Sequence, residues 1–126
     1  MAGQIPDLWP QDIGQADLLA PVTILREQAA LLGQKTNQLV TADVNTQTQG
    51  PFFLHLFYIV APALDNYSYE LFRVQHAITF YPMTVIYENT GRQIESQQQF
   101  VDLIAGILRS PKTANIVKSL IAQIER

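Results

Sequence analysis

Two prolines enclose the most apolar segment of the chain, the run PFFLHLFYIVAP from Pro51 to Pro62. A segment this short between two prolines suits a buried strand better than a helix, and its aromatic and β-branched content favours the same choice. We therefore predict a strand from Phe52 to Val60. Successive side chains of a strand point to opposite faces, and both faces are apolar here. Such a strand lies in the middle of a sheet, with helices covering one face and more chain or a second subunit covering the other.

Helix signals stand on both sides of this segment. A proline at a first helical position and apolar residues at three- and four-residue spacing predict a helix from Pro21 to Thr36. Near the other end, Ser96 followed by Gln99 matches a capping box, and an apolar stripe follows it. Ser110 and Pro111 repeat this logic as an N-cap and a first helical residue. Two C-terminal helices are therefore expected.

The remaining segments have strand character. Residues 38–50 shift toward alternation and β-branched side chains, residues 67–80 are extended and aromatic in pattern, and residues 81–87 run from a proline to a polar turn. Residues 61–66 contain turn-forming Asp and Asn. We predict a two-layer α+β fold: an N-terminal helix, an antiparallel meander of three to four strands, and two C-terminal helices packed on one sheet face.

The first twenty residues contain Pro6, Pro10 and Gly14 among acidic and apolar residues. We interpret residues 1–20 as an irregular arm, which Leu8 and Trp9 anchor against an apolar surface, and residues 21–126 as a single α+β domain. One possibility is that the arm folds across the open sheet face of its own chain, in which case Trp9 would be deeply buried. The irregularity of the arm favours the alternative, a sheet face left free for association.

Composition narrows the function classes. The chain has 126 residues, a formal net charge of −3 and no cysteine, so disulfides, thiolate nucleophiles and cysteine-based zinc sites are excluded. It lacks a dense basic stripe, a basic and apolar leader, and an apolar run long enough to cross a membrane. Phosphate-binding glycine motifs are also absent. We expect a cytoplasmic protein without cofactor or metal that binds neither nucleic acid nor membrane.

The residues best suited to ligand binding or acid–base chemistry lie around His55. The chain has only two histidines, and their spacing matches no metal motif. In a simple hairpin register, His55 lies across from Phe72 and diagonal to Glu70, within reach of a hydrogen bond. Together with Tyr69 and Arg73, this pair forms a candidate ligand-binding or acid–base site between sheet and helices. A register change of one residue would place His55 and Glu70 on opposite faces.

Aromatic residues of the sheet suggest a second kind of site. Those left uncovered by the helices would form a patch larger than soluble monomers usually expose, and tyrosine is well suited to protein interfaces. The candidate interface residues are Phe53, Phe57, Tyr67, Tyr69, Tyr81 and Tyr87. The sequence thus favours a non-catalytic protein-interaction module, either a twofold homodimer or a binder of another protein. The alternative is a small-molecule-binding protein or enzyme with its site near His55 and Glu70, and the ligand, the partner and any reaction stay open.

Overall fold

The structure, a computed structural model, describes residues 3–14, 16 and 18–125 and shows an α+β fold. A five-stranded antiparallel sheet with the order β1-β2-β3-β4-β5 follows the first helix and precedes the other two. The elements are α1 (Pro21–Lys35), β1 (Thr41–Gln49), β2 (Phe52–Ala61), β3 (Tyr67–His76), β4 (Met83–Tyr87), β5 (Thr90–Ile94), α2 (Gln97–Leu108) and α3 (Pro111–Ile124). The predicted fold class and element order are confirmed.

The predicted strand count of three to four is too low because β5 has no apolar pattern. Of its residues only Ile94 is buried. Glu88 and Asn89 both have positive φ, 52° and 63°, and form the two-residue turn that returns the chain beside β4. The polar stretch that the sequence suggested as the end of the sheet is therefore a tight hairpin.

The C-terminal helices begin where their caps predict. The Ser96 hydroxyl accepts a hydrogen bond from the Gln99 N–H at 3.2 Å, and the Gln99 side chain accepts one from the Glu95 N–H at 2.8 Å. The Ser110 hydroxyl accepts from the Thr113 N–H at 3.2 Å. The bonds to the two serine hydroxyls satisfy donors that the first turn of a helix leaves without partners.

All three helices pack on the same face of the sheet, and the hydrophobic core lies between the two layers. The helices contribute Leu25, Phe100, Ile104 and Leu120, among others, and the sheet contributes Phe57, Ile59, Phe72, Val74, Met83 and Val85. We call this the helix face of the sheet and the opposite one the open face.

An irregularity in β3 sets the register beneath the helices. Phe57 pairs with Phe72, but the next residue, Tyr58, pairs with Glu70, so that Leu71 is an extra residue in β3. Leu71 is buried in the core. The simple hairpin register predicted from the sequence is wrong, because the strands are shifted by one residue at the turn, where Ala61 pairs with Tyr67, and by one more at the bulge. His55 lies opposite Val74, not Phe72.

The open face of β2 is apolar but narrow. Leu54, Leu56 and Val60 are buried although they belong to no part of the core beneath the helices. Leu54 lies between Gln47 and Gln75 of the neighbouring strands. Polar side chains thus flank an apolar stripe that is one strand wide.

Candidate functional site

The four predicted ligand-binding residues divide between the two faces of the sheet. His55 pairs with Val74 and Tyr69 pairs with Ile59, which places both on the helix face. Glu70 pairs with Tyr58 and lies on the open face. The expected contact between His55 and Glu70 is therefore not made, because the strands already pair one residue away from the predicted register at the turn, where Ala61 lies opposite Tyr67.

Glu70 and Arg73 form their own ion pair on the open face. The Arg73 Nη2 and Nε atoms donate to the two carboxylate oxygens of Glu70 at 2.7 and 2.9 Å. The hydrogen bond that Arg73 donates to Glu70 raises the pKa of Arg73 above its usual range. Both side chains are about one-third exposed, so solvent screens the pair and its net contribution to stability is below about 1 kcal/mol.

His55 instead contacts His76, a partner that the sequence did not suggest. The two Nε2 atoms are 2.8 Å apart, and the rings, 3% and 5% exposed, are both buried. The Thr46 hydroxyl lies 2.9 Å from the Nδ1 atom of His55, and the Ala77 carbonyl oxygen lies 2.6 Å from the Nδ1 atom of His76. Four polar groups from three strands and a loop thus form one continuous series of hydrogen bonds.

The Ala77 carbonyl at one end of this hydrogen-bond series fixes the positions of the protons. A carbonyl oxygen only accepts, so Nδ1 of His76 donates to Ala77 and Nε2 of a neutral His76 accepts. His55 therefore donates through Nε2 and accepts the Thr46 hydroxyl proton at Nδ1. The pair can take up one additional proton without losing a hydrogen bond, because His55 can change tautomer. It then donates from Nδ1 to the Thr46 hydroxyl and accepts at Nε2. A second added proton would place two N–H donors face to face.

The surroundings of the histidine pair disfavour charge on His55. Phe53 stacks on the His76 ring at 5.5 Å between centroids, and Phe80 packs edge-on at 5.7 Å. Desolvation, followed by the charges of His76 and Arg26, lowers the pKa of His55 to about 4. At neutral pH His55 is therefore an uncharged, fully hydrogen-bonded core residue. These properties suit a structural polar network better than acid–base catalysis on an external substrate.

The predicted interface aromatics lie mainly against the core. Phe57 is 2% exposed, stacks on Phe72 at 4.9 Å and lies beneath the helices. Tyr69, Tyr81 and Tyr87 are partly buried and pack against the core, and burial raises the pKa of Tyr81. Phe53 stacks on His76, as described above. Tyr67 is the most exposed of the set, and the six residues do not form a continuous aromatic surface on the open face.

A groove on the helix side is the most apolar concave feature. It lies between α1 on one side and α2 and α3 on the other, with a volume of about 630 Å³, within the range of ligand pockets. Phe57 and Ile59 of β2 line it between the helices. Its walls carry Ile24, Leu31, Leu32, Val101, Ile104, Leu108 and Val117. Sequence reasoning missed this groove because the spacing between packed helices has no local signature.

The N-terminal arm presents large apolar side chains to solvent. Leu8 and Trp9 are 80% and 71% exposed, so neither anchors the arm on its own chain and Trp9 does not shield the sheet. Ile5, Ile13 and Leu18 are also more than half exposed. The Asp7 carboxylate accepts a hydrogen bond from the backbone N–H of Trp9 at 3.0 Å, which holds this carboxylate close to the backbone of the arm. The described residues of the arm form neither helix nor strand.

Comparisons with protein-family models, curated proteins and solved structures gave no match. Within residues 3–14, 16 and 18–125, no helix is both long and apolar enough to cross a membrane. The same residues contain no cluster of three histidines or carboxylates placed to hold a metal.

Proposed function

We propose that the chain is a non-catalytic protein-interaction module that associates with itself through its N-terminal arm. The observation that carries this proposal is the exposure of large apolar side chains along the arm, between 61% and 80% for Ile5, Leu8, Trp9, Ile13 and Leu18. Contiguous exposed apolar surface is typical of interaction sites, and tryptophan is enriched among the residues that dominate binding energies. Four of the six aromatic residues first expected to fill this role pack against the core: Phe57, Tyr69, Tyr81 and Tyr87.

Other features support an interaction role over an enzymatic one. The polar candidates lie on two faces of the sheet, and the two histidines satisfy each other in the core. A general acid or base needs to reach a substrate proton, which a buried ring bonded on both nitrogens does not do. The proposal includes a cytoplasmic location and a protein rather than a nucleic-acid partner, which the net charge of −3 and the absence of cysteine support.

Light scattering during size-exclusion chromatography tests the self-association. We expect the full chain at micromolar concentration to have twice the mass of one chain, in keeping with a closed twofold dimer. The triple variant Leu8→Ser, Trp9→Ser and Ile13→Ser should have the mass of one chain. Ile78→Ser is the matched control, because Ile78 is equally exposed but lies outside the arm. A single-chain mass for the unmodified protein at all concentrations would contradict the proposal.

The groove favours a second candidate function, the binding of a small apolar ligand. Its volume of about 630 Å³ is sufficient for such a molecule. This candidate moves the ligand site away from His55 and Glu70, which do not line the groove. Calorimetric titration with dodecanoate tests it, and no heat of binding at millimolar ligand would exclude this ligand class.

A further inference from the structure

We propose that the groove between α1 and the α2–α3 pair receives the N-terminal arm of a second copy, so that two chains exchange arms. This inference rests on the proposed function and names the surface that receives the arm. Its basis is the match in polarity and charge between the groove and the arm, whose Leu8 and Trp9 side chains are exposed within one copy.

Apolar side chains extend to the rim of the groove. Leu31 of α1 and Val101 of α2 both line it and are 41% and 38% exposed. They are large apolar side chains of helices, where exposed positions are normally polar. An arm with Leu8 and Trp9 would remove these side chains from water and bury its own at the same time.

Charge complements this apolar match. Lys35, Arg109 and Lys118 line the groove, and no acidic residue within the described chain does so. Residues 1–20 have the opposite character, because their only charged side chains are Asp7, Asp12 and Asp17. Asp17 lies outside the described residues, but Asp7 is held beside Trp9 by its hydrogen bond. Docking would therefore bring carboxylates toward the cations as the apolar side chains enter.

The length and attachment of the arm permit exchange. The arm joins α1 at Pro21, close to Ile24 of the groove wall. An extended chain spans roughly 3.3 Å per residue, so the segment before Pro21 is longer than α1, whose 15 residues extend over about 22 Å. In a twofold dimer each copy supplies one arm and one groove, which closes the assembly without leaving either unfilled.

Complementation between two variants tests the exchange. The arm variant carries Leu8→Ser and Trp9→Ser and keeps its groove. The groove variant carries Leu31→Asp and Val101→Asp, two exposed positions, and keeps its arm. We expect each alone to have the mass of one chain and an equimolar mixture to form a heterodimer, held by one intact arm in one intact groove.

Fluorescence identifies the contact in the mixture. Trp9 is the only tryptophan of the chain, so emission comes from the groove variant alone. It should shift to shorter wavelength when the arm variant is added. The control is an arm variant that also carries Leu31→Asp and Val101→Asp, which should cause no shift. Arg109→Glu with Lys118→Glu is a second groove variant that leaves the apolar walls intact, and it should weaken the wild-type dimer at least tenfold at low salt.

The possible results separate this inference from the proposed function. A groove variant that stays dimeric while the arm variant is monomeric would overturn the groove assignment and leave arm-mediated association standing. A monomeric wild type with blue-shifted, concentration-independent Trp9 emission would show docking within one chain and would overturn the exchange. A monomeric wild type whose groove binds dodecanoate, with binding lost in Leu31→Asp, would assign the groove to a small ligand and overturn both.

Discussion

Replacing His55 with glutamine should remove a large part of the acid sensitivity of the fold. The Gln side chain can donate to Nε2 of His76 and accept from the Thr46 hydroxyl, as His55 does, but it does not titrate. In the wild type the folded pKa of His55 is depressed to about 4, below its ordinary value of 6.5. The imidazole of His55 therefore binds a proton more tightly in the unfolded chain than in the folded one. The stability contribution of neutral His55 is complete above pH 6.5 and falls as the pH drops toward 4.

The size of the effect follows from the two pKa values. Between pH 7 and pH 5, linkage gives a loss of about 2 kcal/mol in the free energy of unfolding from His55 alone. Below pH 4 the loss approaches roughly 3 kcal/mol. Against a total stability of about 5–15 kcal/mol for a domain, a loss of this size is readily measured.

Urea unfolding at pH 7 and pH 5 tests this reasoning for both proteins. The wild type should lose about 2 kcal/mol more than His55→Gln between the two pH values, and carboxylate titration largely cancels in the comparison. NMR of the His55 imidazole ring checks the cause directly, since this ring should remain neutral at pH 5. Equal losses in the wild type and the variant would refute a depressed pKa for His55.

Three further substitutions test a buried hydrogen bond, a core side chain and the ion pair of the open face. The Thr113 hydroxyl donates to the Ile107 carbonyl at 2.7 Å in a buried position, so Thr113→Val should lower the free energy of unfolding by about 1–3 kcal/mol in urea titration. Phe100 is fully buried in the core, so Phe100→Ala should cost about 3–5 kcal/mol by the same measurement. Glu70→Gln removes a partly exposed ion pair with Arg73 and should change stability by less than about 1 kcal/mol, with a smaller change at high salt. A cost as large as that of Phe100→Ala would contradict the solvent screening of the pair.

Local signals predicted the parts of the fold that local energetics control. The capped starts at Ser96 and Ser110 and the proline at the first position of α1 each fix a helix start through neighbouring atoms. β5 was missed because an edge strand with one buried residue, Ile94, needs no apolar alternation. The hairpin register was missed in part at the turn, where Tyr67 pairs with Ala61 rather than with Val60, and in part because Leu71 interrupts the alternation of β3 and bulges have no firm sequence signature.

The candidate site depended on long-range placement and was therefore less predictable. His76 becomes the partner of His55 only after the bulge has set which residues of β3 face the helices. The exposure of Trp9 also could not be predicted, because an apolar residue in an irregular segment has the same sequence pattern whether it packs on its own chain or remains free.

The bulge at Leu71 also determines how this sheet can tolerate a change in the length of its chain. Deleting a paired residue of β3, such as Ser68, would invert the facing of the strand on one side of the deletion and expose apolar side chains. Deleting Leu71 would instead join Glu70 directly to Phe72. These two residues already pair with Tyr58 and Phe57, which are consecutive in β2. The fold would lose one core side chain but keep its register. Leu71 is thus the position in β3 at which a deletion during evolution would leave a packing defect in the core but keep the strands correctly paired.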